Sequence, residues 1–267
     1  MKMSTGTLRS LKDFEGFGIQ ATDGDIGKVH DFFFDDEYWA VRYLVVDTGH
    51  WLPGRKVLLP PSVMDHPDHE ARRIAVPLNR DQIRTSPDVD TARPVSRQRE
   101  LELHAHYGWP FYLNGGGIWP SPIMPMPLVD LPADTGNRQE DNPHLRSVRE
   151  VLGYTVAATD GELGLVEDFI ADDKTWNIRF LVVAGRHGLP GRRVLIFPDW
   201  ITGRIRWSEQ AIKTFISTET ARNAPEFDSK VPISREYETK ICDYYARAAH
   251  WQAPLTGRQS GINANGP

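Results

Sequence analysis

The sequence predicts a mainly β protein with peripheral helices, built as two small antiparallel β-barrels in tandem. Residues 8–61 align with residues 145–198 at a constant offset of 137, without a gap and with 27 identities in 54 positions. Each copy alternates runs of branched and aromatic residues with Gly, Asp and Pro turns about ten residues apart, which is typical of a small barrel or sandwich. A period this long indicates a duplicated domain, because solenoid repeats run at roughly 20–50 residues.

The repeat sets the predicted domain boundaries. The first barrel and its helical extension cover residues 1–112, and the second pair covers residues 143–251. Residues 113–142 contain three consecutive glycines and five prolines, a composition that favours an extended connector. Residues 252–267 are rich in Gly, Asn and Pro and are predicted to be disordered.

The front of each copy reads as short strands. Branched and aromatic residues predict strands at residues 29–34, 41–46 and 57–59, and again at 166–170, 178–183 and 194–196. Three kinds of residue pair predict turns beside these strands. They are Asp-Gly at 23–24 and 160–161, Asp-Asp at 35–36 and 172–173, and Pro-Gly at 53–54 and 190–191. Gly27 and Gly164 suit a β-bulge or a strand start.

Short helices are predicted around these strands. Ser147 with Glu150 three residues later fits a capping box, and Ser10 with Asp13 is its weaker counterpart. At the back of the second copy, Ser234 can cap a helix. Its apolar stripe holds Tyr237, Ile241, Tyr244 and Tyr245.

Several motifs recur in both copies in the same order. They are a Leu-Arg-Ser start, a Thr-Asp-Gly hairpin with Gly three residues later, an Asp-Phe strand end, a Trp-x-x-Arg-x-Leu-Val-Val strand and a Pro-Gly-Arg turn. Together they resemble the PRC-barrel, a domain shared by the cytoplasmic part of the photosynthetic reaction-centre H subunit and the C-terminal half of RimM-type ribosome-maturation factors. The resemblance covers about residues 8–112 and 145–251. It implies a six-stranded barrel without a universal catalytic site.

Composition narrows the class of function. The net charge of −5, from 31 basic and 36 acidic residues, shows no electrostatic footprint for nucleic acid. The single cysteine, Cys242, excludes an internal disulfide and a multi-cysteine zinc site. No apolar run approaches the roughly 20 residues of a membrane-spanning helix, so we expect a cytoplasmic protein.

No catalytic constellation is recognisable, and we expect neither an enzyme nor a cofactor or metal. Two His pairs, at 66 and 69 and at 104 and 106, are expected to be solvated. A metal site there is the less favoured alternative because convergent ligands are not evident. Aspartates at predicted turns favour local backbone bonding over calcium. Cys242 lies on a predicted helix without a neighbouring base, which favours an ordinary, partly buried thiol.

Two groups of residues form the candidate interaction surface. The first is the basic pairs Arg55, Lys56 and Arg192, Arg193. The favoured interpretation of these pairs is charge that keeps an exposed strand soluble. The alternative is that they bind an acidic partner or a lipid headgroup. The second is an aromatic run, for which a partner surface competes with internal packing. This run comprises Tyr107, Trp109, Phe111 and Tyr112.

The leading hypothesis is a non-enzymatic interaction or adaptor protein with an unidentified protein partner. The resemblance suggests two alternatives, an accessory role beside photosynthetic electron transfer and a role in RNA processing or ribosome maturation. Peripheral membrane contact and self-association remain open, and no nucleic acid is expected.

Overall fold

The computed structural model describes residues 6–87, 102, 103, 105–108, 145–186, 191–203, 205, 208–229 and 231–246. The described chain is mainly β with a few short helices, and its strands form two six-stranded sheets. The predicted connector and tail, residues 113–142 and 252–267, lie outside the described residues.

The first sheet is ordered β5-β4-β3-β2-β6, with β7 added beside β3. All its pairs are antiparallel except β2 with β6. The strands of the first repeat are β1 (Leu8–Ser10), β2 (Gly18–Ala21), β3 (Gly24–Asp35), β4 (Ala40–Asp47), β5 (Lys56–Leu59) and β6 (Arg73–Ala75).

The second sheet repeats this arrangement in the order β11-β10-β9-β8-β12, with β1 added beside β9. Again only one pair, β8 with β12, is parallel. The strands of the second repeat are β7 (Leu145–Ser147), β8 (Thr155–Ala157), β9 (Glu162–Asp172), β10 (Ile178–Gly185), β11 (Arg193–Ile196) and β12 (Ala211–Lys213).

The two repeats exchange their first strands. β1 pairs with β9 of the second repeat, where Leu8 lies opposite Asp172. β7 pairs in the same register with β3 of the first repeat, where Leu145 lies opposite Asp35. Each sheet therefore contains five strands of one repeat and one strand of the other.

The exchange is possible because β3 and β9 are long strands, each with room for two partners along one edge. The first part of β3 pairs with β2 and its last three residues pair with β7. β4 pairs along the opposite edge of β3. In β9 the same two parts pair with β8 and β1.

The six predicted strand segments all lie within observed strands, β3, β4, β5, β9, β10 and β11. The Asp-Asp turns join the predicted strands β3 to β4 and β9 to β10. The Asp-Gly turns join β3 and β9 to the short strands β2 and β8, which were not predicted. The bulge prediction is also confirmed, because the register of β2 with β3 shifts beside Gly27 and that of β8 with β9 shifts beside Gly164.

Gly27 and Gly164 occupy equivalent, crowded backbone positions with φ of +151° and +156°. A β-carbon at Gly27 would meet the carbonyl oxygen of Asp47, and one at Gly164 would meet that of Ala184. We expect Gly27→Ala to lower the free energy of unfolding by about 1–3 kcal/mol, because backbone rather than a flexible side chain must move. Urea unfolding measures this loss.

Gly18→Ala in β2 is the matched control. Its β-carbon would make only an ordinary contact of 3.7 Å with Arg73, so we expect its stability to stay within about 0.5 kcal/mol of the original. Equal losses in the two variants would contradict a special role for the crowding at Gly27.

Both repeats contribute to one hydrophobic core. The largest cluster of buried apolar side chains contains Phe14, Phe32 and Leu44 of the first repeat together with Phe169 and Leu181 of the second. Two smaller clusters cover the outer faces of the sheets, and each contains the exchanged strand's leucine from the other repeat, Leu145 or Leu8.

In the described part of the chain, four short and peripheral α-helices have defined bounds. They are α1 (Arg80–Arg84), α2 (Val148–Val151), α3 (Thr218–Asn223) and α4 (Arg235–Tyr244). Residues 102, 103 and 105–107 are also helical. Ser147 caps α2 and Ser234 caps α4 through their side chains, as predicted. No helix within the described ranges is long and apolar enough to cross a membrane.

Candidate functional site

A buried carboxylate fixes the exchanged strand of the second repeat. Asp31 Oδ2 accepts a hydrogen bond from Ser147 Oγ at 2.5 Å. Asp31 Oδ1 accepts from the backbone N–H groups of Phe32 and Arg149, at 2.7 and 3.1 Å. Ser147 Oγ also accepts from the backbone N–H of Glu150 at 3.1 Å, so the capping residue of α2 connects the helix to the first repeat.

The first repeat's exchanged strand is held in the same way. Asp168 accepts from Ser10 Oγ at 2.5 Å, from the backbone N–H of Phe169 at 2.7 Å and from that of Lys12 at 3.4 Å. The chain thus has two equivalent carboxylate contacts, each joining one repeat to the other. We call Asp31 with Ser147, and Asp168 with Ser10, the exchange contacts.

Burial dominates the protonation of both carboxylates. It raises the pKa of Asp31 above its ordinary value and raises that of Asp168 to about 6, while the hydrogen bonds act in the opposite direction. The hydrogen bonds therefore offset only part of the cost of burying these charges.

The raised pKa of Asp168 predicts a pH-dependent stability. Between about pH 4 and pH 6 the folded chain holds a proton on Asp168 that the unfolded chain has released, so stability decreases as the pH rises through this range. Asp168→Asn should flatten this part of the profile. Urea unfolding at pH 4.5 and pH 7.5 measures the difference, and an unchanged pH profile in the variant would contradict this assignment.

The Asp-Asp turns serve the backbone, as their sequence predicted. Asp35 Oδ1 accepts from the backbone N–H groups of Glu37 and Tyr38 at 2.9 and 3.1 Å. Asp172 Oδ1 does the same for Lys174 and Thr175, at 3.0 and 2.7 Å. These carboxylates stabilise the turns that lead to the contact between the repeats.

A tryptophan of each repeat lies where the two repeats touch. The Trp39 carbonyl accepts from Ile178 N at 2.7 Å, and the Trp176 carbonyl accepts from Val41 N at 2.9 Å. Both tryptophans have positive φ, +54° and +57°, which is costly for a bulky L-residue. Their side chains are 6% and 4% exposed, so the junction combines backbone strain with extensive burial.

A second aspartate anchors the outer end of β1. Asp173 Oδ1 accepts from Thr7 N at 2.8 Å, and Oδ2 lies 3.8 Å from Arg9 Nε and 3.5 Å from His69 Nε2. His69 also lies against the rings of Phe14 and Phe17. His69 is therefore not simply solvated, as was expected, but contacts Asp173 of the second repeat. His66 is exposed.

The first arginine of each basic pair binds a helix end. Arg55 donates to the carbonyl of Arg84, the last residue of α1, and to that of Ser86 just beyond it. Arg192 donates to the carbonyl of Arg222 in the last turn of α3 and to that of Ala224 just beyond the helix. A guanidinium has the planar donors needed to satisfy carbonyls left open at a helix C-terminus.

The second member of each pair differs between the repeats. Arg193 makes a two-bond contact with Glu167, at 2.5 and 2.9 Å. Lys56 instead lies 3.0 Å from the imidazole of His30. The pairs thus separate into one structural arginine and one outward-facing cation per repeat.

The predicted aromatic run lies mostly outside the described residues. Trp109, Phe111 and Tyr112 are not described. Tyr107 is half-buried against the core clusters, and burial raises the pKa of its hydroxyl. This placement favours the packing alternative for Tyr107.

An aromatic patch that the sequence did not reveal lies on the second repeat. It comprises Trp200, Phe215, Tyr244 and Tyr245, with Trp200 4.3 Å from Tyr245 and 6.2 Å from Phe215 between ring centroids. Phe215 is 53% exposed and Tyr244 is 39% exposed. Tyr244 thus faces outward, although the predicted stripe placed it towards the core.

The positions equivalent to this patch are different in the first repeat. They carry Val63, Pro77, His106 and Tyr107. The four patch residues come from a 3-10 turn, the segment after β12 and the end of α4. Because these segments are distant in sequence, no local pattern could have indicated the patch.

Comparisons with known proteins add no family. The chain matches no protein-family model and no curated protein.

Within the described residues, no three His, Cys, Asp or Glu side chains are grouped as metal ligands, and Cys242 is buried on α4.

Proposed function

We propose that the protein is a non-enzymatic adaptor built from two PRC-barrel-type modules, which binds a protein partner through the aromatic patch of its second half. The observation that carries this proposal is the exposure of Phe215 and Tyr244 above Trp200 and Tyr245. Clustered aromatic side chains supply much of the binding energy of protein interfaces.

The path of the chain beyond the central strands supports the barrel part of the proposal. After β5 the chain returns to β6, where Asp65 N donates to the carbonyl of Ala75 at 2.9 Å. After β11 it returns to β12, where Thr202 N donates to Lys213 O at 2.8 Å. In each half these contacts bring the segment that follows one end strand of the sheet, β5 or β11, against the strand at the other end, β6 or β12. A nearly closed barrel requires the chain to meet across the two ends of the sheet in this way.

The strand exchange supports the adaptor part. Each half depends on the other for a strand and for core side chains, so the two outer surfaces keep a fixed relation to each other. A rigid pair of surfaces lowers the entropic cost of binding because little must be ordered on association.

The test replaces the two exposed patch residues, Phe215 and Tyr244, of which Tyr244 also donates to the Thr220 carbonyl at 2.9 Å. Phe215→Gln keeps the N–H that donates to Trp200 O, and Tyr244→His introduces the residue type of the first half. Tyr38→Thr, which gives an exposed tyrosine its counterpart from the second half, is the matched control. The original protein, the double variant Phe215→Gln, Tyr244→His and the control Tyr38→Thr would each be crosslinked in extracts of the source cells, and the proteins bound to each would be compared.

We expect the double variant Phe215→Gln, Tyr244→His to capture at least tenfold less of the partner protein than the original chain does. Tyr38→Thr should capture the same amount as the original chain. Circular dichroism and melting temperature establish that each variant is folded. Capture that is equal in the double variant and the original protein would overturn the assignment of the patch.

A further inference from the structure

One equivalent position carries opposite chemistry in the two halves. In the second half, Glu167 of β9 accepts two hydrogen bonds from Arg193. In the first half the corresponding residue is His30 of β3, and the corresponding cation is Lys56. The second half therefore has its own carboxylate at this position, and the first half does not.

Two cations converge on His30. Lys56 Nζ lies 3.0 Å from Nε2 of the ring. Arg149 NH1 lies 3.2 Å from Nδ1 and 3.1 Å from Nε2. Arg149 belongs to the second repeat and reaches His30 only because β7 and α2 are exchanged onto the first sheet.

Arg149 NH1 lies almost equally far from the two ring nitrogens, so it is not directed at the lone pair of either nitrogen. A neutral imidazole has one acceptor nitrogen, so it cannot accept from both cations in good geometry. Burial, Lys56 and Arg149 all lower the pKa of His30. The lowered pKa favours the neutral ring, so His30 does not add a third positive charge to those of Lys56 and Arg149. The cluster thus presents more N–H donors than the ring can satisfy.

The carboxylates around this cluster are already engaged. Asp31 accepts three hydrogen bonds at the exchange contact. Asp47 accepts from the backbone N–H of Gly49 at 2.9 Å. Glu15 lies 3.6 Å from Nε of Arg149, on a different nitrogen from the one beside His30.

We propose that His30, Lys56 and Arg149 form a binding site for a single oxyanion, the carboxylate or phosphate group of a ligand, at the junction of the two repeats. The ligand oxygen gives Lys56 and Arg149 an anionic acceptor, as Glu167 does for Arg193 in the second half. Guanidinium and ammonium donors suit either group. If the oxyanion is part of the protein partner, this inference rests on the proposed function and identifies the chemical group through which the partner binds.

The test uses the whole chain with succinate and inorganic phosphate as separate probes, each compared with sodium chloride at equal ionic strength. The ring nitrogens of His30 are followed by NMR, and the melting temperature is recorded in parallel. We expect a saturable shift of the His30 signals and a rise in melting temperature with an oxyanion that chloride does not reproduce. A response to succinate alone assigns a carboxylate, and a response to phosphate alone assigns a phosphate group.

Reciprocal variants separate the site from general salt effects. His30→Glu supplies the carboxylate of the second half and should abolish the oxyanion-dependent rise in melting temperature. Arg149→Gln should weaken binding at least tenfold. Glu167→His removes the internal carboxylate of the second half and should add an oxyanion response there.

The absence of a saturable shift at His30 in the original chain would overturn the site, as would a full response retained in His30→Glu. Neither result bears on the aromatic patch, because capture of a protein partner through Phe215 and Tyr244 is measured separately. Loss of partner capture in the patch variants, in turn, leaves the oxyanion titration unaffected.

Discussion

Expressed alone, residues 1–112 should form a homodimer and not a folded monomer. The isolated half loses β7, which pairs with β3, and its own β1 loses its partner β9. Both exchanged strands read Leu-Arg-Ser, so β1 of one molecule can take the place of β7 on another. Ser10 would then donate to Asp31 as Ser147 does in the full chain.

Sedimentation and light scattering measure the mass directly. We expect twice the mass of the half chain, and a melting temperature that rises with protein concentration because folding and association are coupled. The full chain is the control, since its melting temperature should not depend on concentration. Residues 143–251 should behave like the first half, and a mixture of the halves should form a heterodimer.

A compact monomer of residues 1–112 would contradict this expectation. It would show that β1 can fold back along the free end of β3 in its own molecule. Ser10→Ala in the half chain distinguishes a specific dimer from aggregation. It removes the donor to Asp31 and should weaken the dimer.

Trp176→Ala should cost about 3–5 kcal/mol of unfolding free energy, the usual range for truncating a buried aromatic side chain. The Trp176 ring lies 5.2 Å from that of Phe14 and 6.0 Å from that of Phe32, both in the first repeat. The substitution therefore opens a cavity at the contact between the halves. Urea unfolding followed by circular dichroism measures the loss.

Trp176→Gly separates packing from backbone strain. Both variants remove the indole, but only glycine adopts a positive φ at little cost. We expect the Gly variant to be more stable than the Ala variant by about 1 kcal/mol, the reverse of the usual order. Trp39→Ala and Trp39→Gly repeat the comparison at the equivalent position. A loss below about 1 kcal/mol in Trp176→Ala would show that the ring contributes little to the junction.

Local features of the fold were predictable because they are encoded in adjacent residues. The alternation of Val, Phe and Leu runs with Asp-Gly turns located the central strands of both repeats. Ser147 and Ser234 were recognisable as helix caps from the residues that follow them. Gly27 was recognisable as a bulge position because few other residues tolerate its backbone conformation.

The strand exchange was not predictable from the same evidence. Leu8-Arg9-Ser10 and Leu145-Arg146-Ser147 are identical, so each fits the edge of β3 or β9 equally well by composition and pattern. Which sheet receives which strand depends on the path of the intervening chain, and a local pattern carries no information about that path.

The candidate surfaces show the same division. Arg55 and Arg192 stood out as a recurring motif, but their acceptors lie about 30 residues away in the chain and became visible only in the structure. The difference between His30 and Glu167 was present in the aligned repeats. Its meaning required Arg149, which the exchange brings from the other repeat.

The fusion of two halves that complete each other's sheets has a consequence for divergence. In a pair of identical chains, every substitution appears on both sides of the symmetry axis. Here one polypeptide encodes each side separately, so His30 can differ from Glu167, and Phe215 from Pro77, while the shared architecture keeps both halves together in equal numbers. Covalent linkage thus permits specialisation of one face while the other retains its own composition.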